Sequence, residues 1–179
     1  MCKDDLPNRY SEKGHLYSLV YKFFSPVTKL RYILRAEYHQ EDIFVVKFYV
    51  QSHHQKRRYS TITNRGDFCN IIITCCKIVP LLLKENPNVS FGFMGGRTLD
   101  SKHGNKSKRI EGFDNNQRFR IYKDIASQKF GNKTFAHIEY KIISSYLLLN
   151  RKCLDLKQRE MDIKTMFVET YSDILDIDI

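Results

Sequence analysis

Long hydrophobic runs are missing from this sequence of 179 residues. The longest apolar stretch, residues 68–83, is interrupted by Asn70, Thr74, Lys77 and Pro80, so it lacks the roughly 18 consecutive apolar residues of a membrane span. No apolar segment follows the charged N-terminus, and the sequence therefore predicts neither a signal peptide nor membrane contact. Repeats and low-complexity tracts are also lacking, whereas 42% hydrophobic and 13% aromatic residues indicate a folded core.

Cysteine spacings typical of zinc or redox sites are also missing. None of the five cysteines forms a C-x-x-C or Cys/His zinc pattern, so the sequence predicts no metal and no cofactor. The odd count favours reduced thiols, with Cys69, Cys75 and Cys76 serving as small hydrophobic residues. Reduced thiols and the missing leader together predict a cytoplasmic protein.

Recognisable catalytic motifs are scarce. There is no G-x-S-x-G, and the P-loop lysine is missing after Gly95-Gly96. The acid-x-Lys tripeptide Glu139-Tyr140-Lys141 has no partner acid on a preceding strand, which favours a structural role. His53-His54, beside a basic run, suit a small metal-independent ribonuclease, and a polar hairpin loop is the alternative. The sequence therefore favours a protein that is not an enzyme.

Charge of one sign dominates most of the chain. The net charge is +10, yet residues 155–179 hold seven acids and three bases, so residues 1–154 carry +14. Such asymmetry implies an anionic partner, which is nucleic acid, an acidic protein or the protein's own tail.

The hydrophobic pattern predicts an α+β fold. Period-two alternation indicates strands at 16–24, 30–38 and 43–50, with a fourth at 56–63, in an antiparallel meander. An apolar helix from Asp67 to about Lys84, bent or shortened at Pro80, packs on this sheet.

The rest of the chain predicts a strand, a helix and a further strand or pair of strands. The strand covers 89–94, the helix starts at Asn115 or Asn116 and ends near Lys129, and the last strand region is 134–149. A C-terminal helical extension covers 157–174. We thus expect a flexible N-terminus at 1–14, one α+β domain at 15–152 with a basic loop at 97–114, and an acidic helical tail at 153–179.

One face of the predicted meander carries cations and an aromatic ring. If Leu34, Phe44 and their alternating neighbours face the core, the opposite face suits single-stranded nucleic acid, because cations neutralise phosphates and rings stack on bases. An ordinary solvated face is the alternative. The residues of this face are Arg31, Arg35, Lys47 and Tyr49, joined by Lys22 and by Arg57 or Arg58.

A second candidate follows the glycine step Gly95-Gly96. Glycines allow close backbone approach and a helix start favours anions, so this region suits phosphate binding. A turn followed by a helix with solvated arginines is the alternative. The cations here are Arg97, Lys108, Arg109, Arg118 and Arg120.

The acidic end of the chain, residues 173–179, alternates acids with aliphatic residues. This pattern suits docking on the basic domain in cis, in competition with nucleic acid, or addition as a strand to another chain. A frayed end after a surface helix is the alternative.

From about Tyr17 to Asn150 the chain resembles an uncharacterised family of small bacterial proteins that is frequent in Bacteroidetes genomes. The resemblance rests on an apolar helix at 68–83, the turn 86–88, an aliphatic strand, Gly95-Gly96, and the helix start Arg118-Phe119-Arg120-Ile121-Tyr122. It implies the fold outline and a bacterial cytosolic origin, but no activity. Most of loop 97–114 and the acidic tail depart from the family pattern.

The leading hypothesis is a non-catalytic nucleic-acid-binding protein of a bacterial cytosol that prefers RNA or single-stranded DNA. A protein-interaction component of a toxin–antitoxin or phage-defence complex, with a protein partner or a homo-oligomer, is the second hypothesis. A small ribonuclease using His53 or His54 is the third.

Overall fold

A computed structural model describes residues 2–6, 14–52, 66–95, 112 and 114–171. The predicted strand at 56–63 and most of the basic loop at 97–114 lie outside the described residues. Within them the fold is mixed α+β, as predicted.

The centre of the fold is a mixed seven-stranded sheet. Its strand order is β1-β2-β3-β4-β5-β7-β6, and all neighbours are antiparallel except β4 and β5. The predicted strands at 16–24, 30–38 and 43–50 are therefore confirmed as three successive antiparallel strands. The strands are β1 (Cys2–Leu6), β2 (His15–Ser25), β3 (Leu30–His39), β4 (Ile43–Val50), β5 (Ser90–Met94), β6 (Phe135–Tyr140) and β7 (Ser145–Asn150).

Helices pack on both faces of this sheet. The main core lies between one face and the first three helices, where Leu34, Phe44 and Phe91 are buried against Ile78 and Phe119. The fourth helix forms a smaller core on the opposite face. The helices are α1 (Phe68–Cys76), α2 (Ile78–Glu85), α3 (Gln117–Lys129) and α4 (Leu156–Thr170).

The predicted single helix at 67–84 is two helices that meet at Lys77. Pro80 lacks an amide hydrogen and its ring conflicts with the carbonyl four residues earlier, so a continuous helix is disfavoured. As the third residue of α2, Pro80 is tolerated because first-turn amides have no partner within the helix. Cys75 and Cys76 are buried as predicted, but Cys69 is exposed, because it lies on the outer side of the first turn of α1.

The strand count exceeds the four-strand meander of the prediction. The region 134–149 is a hairpin of β6 and β7. Its turn lacks glycine, proline and asparagine, and Ser144 takes the left-handed conformation with φ 48°. The sequence pattern indicates no strand in residues 1–14, whereas β1 pairs there with β2 through its backbone.

Helix α4 packs closely on the sheet. Ile163 and Met166 are buried against Ile43 and Leu149. Gly92 in β5 permits this approach, because a Cβ at that position would lie 3.0 Å from Cζ of Phe167. Helix α4 is therefore part of the folded structure and covers one part of a sheet face.

Gly95 brings the end of β5 against the start of α3. The side chain of Asn116, the predicted cap, accepts a hydrogen bond from the Phe119 amide at 2.9 Å and donates one to the Gly95 carbonyl. The Asn116 amide donates to Ser144 Oγ at 3.0 Å, which fixes this corner to the β6–β7 turn.

We predict that Gly95→Ala destabilises the protein by about 1–3 kcal/mol, the usual cost of overpacking. The new Cβ would lie 2.5 Å from Asn116 Oδ1 and 2.9 Å from the Phe119 amide nitrogen. Gly131→Ala is the matched control, because nothing lies within 4 Å of a Cβ there, and we expect a change within about 0.5 kcal/mol. Urea denaturation measures both, and equal effects would contradict this account of the corner.

Candidate nucleic-acid interface

Part of one sheet face stays uncovered by α4. Lys22, Phe24 and Arg31 are exposed, with Phe24 54% accessible, and Ile33 and Tyr49 are half-buried. Lys22 is opposite Ile33 across β2 and β3, Ile33 is opposite Tyr49 across β3 and β4, and Phe24 is opposite Arg31. We call this surface, together with Arg35 and Lys47, the open face.

The predicted core-facing residues of β3 and β4 are confirmed by their burial. Leu34 is fully buried and Phe44 is 2% accessible, so both face the main core. Arg35 is opposite Lys47 in the register, one residue out of phase with Leu34. Arg31, Arg35, Lys47 and Tyr49 therefore share one face, as the sequence predicts.

Two of these cations are paired with a buried carboxylate. Glu37 is 5% accessible. Lys47 Nζ lies 2.5 Å from Glu37 Oε2, and Arg35 Nε lies 3.5 Å from Glu37 Oε1. Arg35 also donates a hydrogen bond to Ser18 Oγ at 3.1 Å. Lys47 and Arg35 are thus held in place at the border of the open face.

The end of α4 completes this cluster. The hydroxyl of Tyr171 donates to Glu37 Oε2 at 3.0 Å and lies 2.8 Å from His39 Nε2. Because the hydroxyl proton goes to the carboxylate, His39 donates from Nε2 to the Tyr171 oxygen. Lys47 Nζ also lies 4.3 Å from the centre of the Tyr171 ring, a cation–π contact. We call Glu37, His39, Lys47 and Tyr171 the buried polar cluster.

The pKa values of Glu37 and His39 both depend on their burial and on the charges beside them. Burial raises the pKa of Glu37, but the attraction and hydrogen bond of Lys47, with help from Arg35 and Tyr171, outweigh it, and the pKa is lowered. Burial lowers the pKa of His39 to about 4, so its imidazole is neutral at pH 7. His39 Nδ1 is buried without a hydrogen-bond partner among the described residues.

The second predicted site is built differently. Arg120 donates to the Asn115 carbonyl at 2.7 Å, and Asn116 is buried while it caps α3. Gly95 is required because it packs closely on this cap, so its presence does not indicate phosphate binding. Helix α3 lies on the opposite side of the sheet from the open face, so the structure does not bring Arg118 and Arg120 together with Arg31.

Several predicted residues lie outside the described part of the chain, and their roles stay predictions. These are His53, His54, Arg57, Arg58, Arg97, Lys108 and Arg109.

The tripeptide at the end of β6 has structural contacts. Glu139 Oε2 accepts from Lys123 at 2.9 Å, and the Tyr140 hydroxyl donates to Glu160 at 2.7 Å. These contacts tie β6 to α3 and α4 and support the structural interpretation.

Sequence reasoning missed the roles of four residues at this interface. Phe24 follows Lys22 by two positions in β2, and this period-two spacing places both on one face. Ile33 has the same relation to Arg31 and Arg35. Glu37 and Tyr171 carried no local signal, because they meet across 134 residues of sequence.

A shallow groove of about 340 Å³ lies at the start of α4. Asp42, Cys153 and Arg159 are among its lining residues. Arg159 is already engaged with Glu41 at 2.8 Å and Asp42 at 3.3 Å. The lining mixes both charge signs and defines no ligand class.

Metal ligands, membrane helices and known proteins give no further indication of a site. Among the residues that the structure describes, no three His, Cys, Asp or Glu side chains are grouped to hold a metal ion. No helix within the described ranges is long and apolar enough to cross a membrane. Comparison with known proteins finds no matching family model, curated protein or solved structure.

We predict that the protein loses stability as the pH falls from 6.5 towards 4. His39 has a pKa of about 4 in the folded state, below the roughly 6.5 of an unfolded histidine, so the unfolded state binds more protons in this window. The stabilisation is complete above pH 6.5, and its loss reaches up to about 3 kcal/mol. Urea denaturation at pH 7, 6 and 5 should show a shallower decline for His39→Gln. An equal decline would contradict the role given to His39.

Proposed function

We propose that the open face binds single-stranded nucleic acid without catalysis. The observation that carries the proposal is the interleaving of exposed cations with apolar and aromatic side chains on adjacent strands. Lys22 and Arg31 alternate there with Phe24, Ile33 and Tyr49. Proteins that bind single strands without sequence preference combine a cationic track with stacking platforms in this way.

Each residue type contributes a distinct part of the binding. Lys22 and Arg31 neutralise backbone phosphates and release counterions. Phe24 presents its ring to a base, and Tyr49 stacks on the next one along the sheet. Phosphate contacts and stacking carry little base information, so the proposed mode is electrostatic capture with weak sequence preference.

Arg35 and Lys47 contribute less to phosphate binding in this proposal than the sequence alone implies. Both ion-pair with Glu37, so part of their charge is already compensated. Their fixed positions preorganise the border of the site. Lys22 and Arg31 are more exposed than Arg35 and Lys47, so they are the better targets for mutation.

The two alternative functions have less support. A protein-interaction module with the apolar helix and the acidic tail as contacts would need the helix's apolar side chains at the surface, but Ile71, Ile72, Val79 and Leu82 are buried in the main core. The ribonuclease hypothesis depends on His53 and His54, outside the described residues.

We predict that Lys22→Ala/Arg31→Ala weakens binding to a labelled single-stranded oligonucleotide by about tenfold or more at low salt. Each lost phosphate contact should also reduce the slope of log affinity against log salt by about 0.7 to 1. Fluorescence anisotropy at several salt concentrations measures both quantities.

Lys77→Ala/Lys84→Ala is the matched control for this experiment. It removes the same charge from exposed positions on the face of the sheet that α1, α2 and α3 cover. A similar loss of affinity in both variants would show a diffuse charge effect and contradict the open face as the site. Failure of the wild-type protein to bind at low salt would also contradict the proposal.

Phe24→Ala tests stacking on its own. We expect a loss of about 1–3 kcal/mol in binding free energy, with the salt slope unchanged, because no charge is removed. Met161→Ala on α4, 59% accessible, is the control. The same anisotropy titration measures both, and unchanged affinity for Phe24→Ala would remove stacking from the account.

A further inference from the structure

The chain leaves α4 at the border of the open face. Tyr171 is 7% accessible and is held by Glu37, His39 and Lys47. Glu37 and Lys47 belong to β3 and β4, the strands that also carry Arg31, Arg35 and Tyr49. The described part of the chain therefore ends at Tyr171, against the border of the open face.

The open face and residues 172–179 carry opposite charges. The open face carries Lys22, Arg31, Arg35 and Lys47, and the described strands β2–β4 place one carboxylate, Glu37, among them. Residues 172–179 contain three acids and no base. The acids are Asp173, Asp176 and Asp178.

The open face and residues 174–179 also share a pattern in which apolar and charged residues alternate. Residues 174–179 alternate aliphatic residues with acids, apart from one aliphatic pair, and the open face alternates Phe24 and Ile33 with cations. Eight extended residues reach about 26 Å, while three strand spacings measure about 14 Å. The segment is thus long enough to cross the face from β4 to β1.

We propose that residues 172–179 lie in cis across the open face, with the acids on its cations and the aliphatic side chains on Phe24 and Ile33. The segment then competes with nucleic acid for this face. The competition rests on the function proposed above, whereas the docking does not. Ionic strength governs the strength of this contact, because the pairs are at the surface.

Photo-crosslinking of the full chain tests the docking. The variant Ile177→p-benzoylphenylalanine carries a photoreactive side chain in the tail. After irradiation, crosslinked peptides of the monomer are mapped by mass spectrometry. We expect crosslinks within one chain to residues 20–25, 31–35 and 47–51. Met161→p-benzoylphenylalanine, at an exposed α4 position, is the control and should not give them. Crosslinks elsewhere, none at all, or only dimeric products would overturn docking in cis.

A neutralised tail tests the competition. We expect Asp173→Asn/Asp176→Asn/Asp178→Asn to bind a single-stranded oligonucleotide about tenfold more tightly at low salt, as three exposed ion pairs imply. The control, Asp114→Asn/Asp124→Asn/Glu169→Gln, makes the same change of charge at exposed positions elsewhere. An equal gain in both variants would overturn the competition. Crosslinks on the open face without binding in any variant would leave the docking standing and refute the proposed function.

Discussion

The carboxylate of Glu37 is the constraint on which this architecture depends. Moving a charge out of water costs several kcal/mol unless it is paired and hydrogen-bonded. Glu37 meets this requirement through Lys47, Arg35 and Tyr171, which come from β4, β3 and the end of α4. Removing one partner would leave the buried charge less well compensated, so the cluster favours the position at which α4 ends on the sheet.

That fixed end divides one sheet face into two parts with different chemistry. Beneath α4, Ile43, Leu147 and Leu149 form an apolar core that Gly92 allows the helix to approach. Beyond Tyr171 the same face presents cations with Phe24 and Ile33. The side chains of the open face therefore stand on strands whose other face is buried, and such rigid elements hold a binding surface in a defined geometry.

The sequence predicts the parts of this fold that follow from local pattern. Every second residue of β3 and β4 faces the main core, and Asn116 caps α3, as expected from its side chain. A pair of strands at 134–149 was one of the two predicted options, but its turn was not located, because Ser144 takes a left-handed conformation without glycine or asparagine. Strand β1 was missed because its charged residues show no alternation. β1 pairs with β2 and β6 pairs with β7 through backbone hydrogen bonds, which leave no signal in the pattern of side chains.

The candidate site was predictable to the same extent. Period two places Arg31, Arg35, Lys47 and Tyr49 on one face, but it cannot show that Glu37 compensates two of these cations through a cluster completed by Tyr171. Nor could it separate the open face from Arg118 and Arg120, because only the packing of α3 on the other side of the sheet does so.

Zero-length ultraviolet crosslinking of the full chain to a single-stranded oligonucleotide, with the modified peptides mapped by mass spectrometry, tests the central claim most directly. We expect adducts on Phe24 or Tyr49 of the open face, and weaker adducts as the salt concentration rises. Adducts confined to the start of α3 or to residues 97–111, or no adducts at low salt, would contradict it.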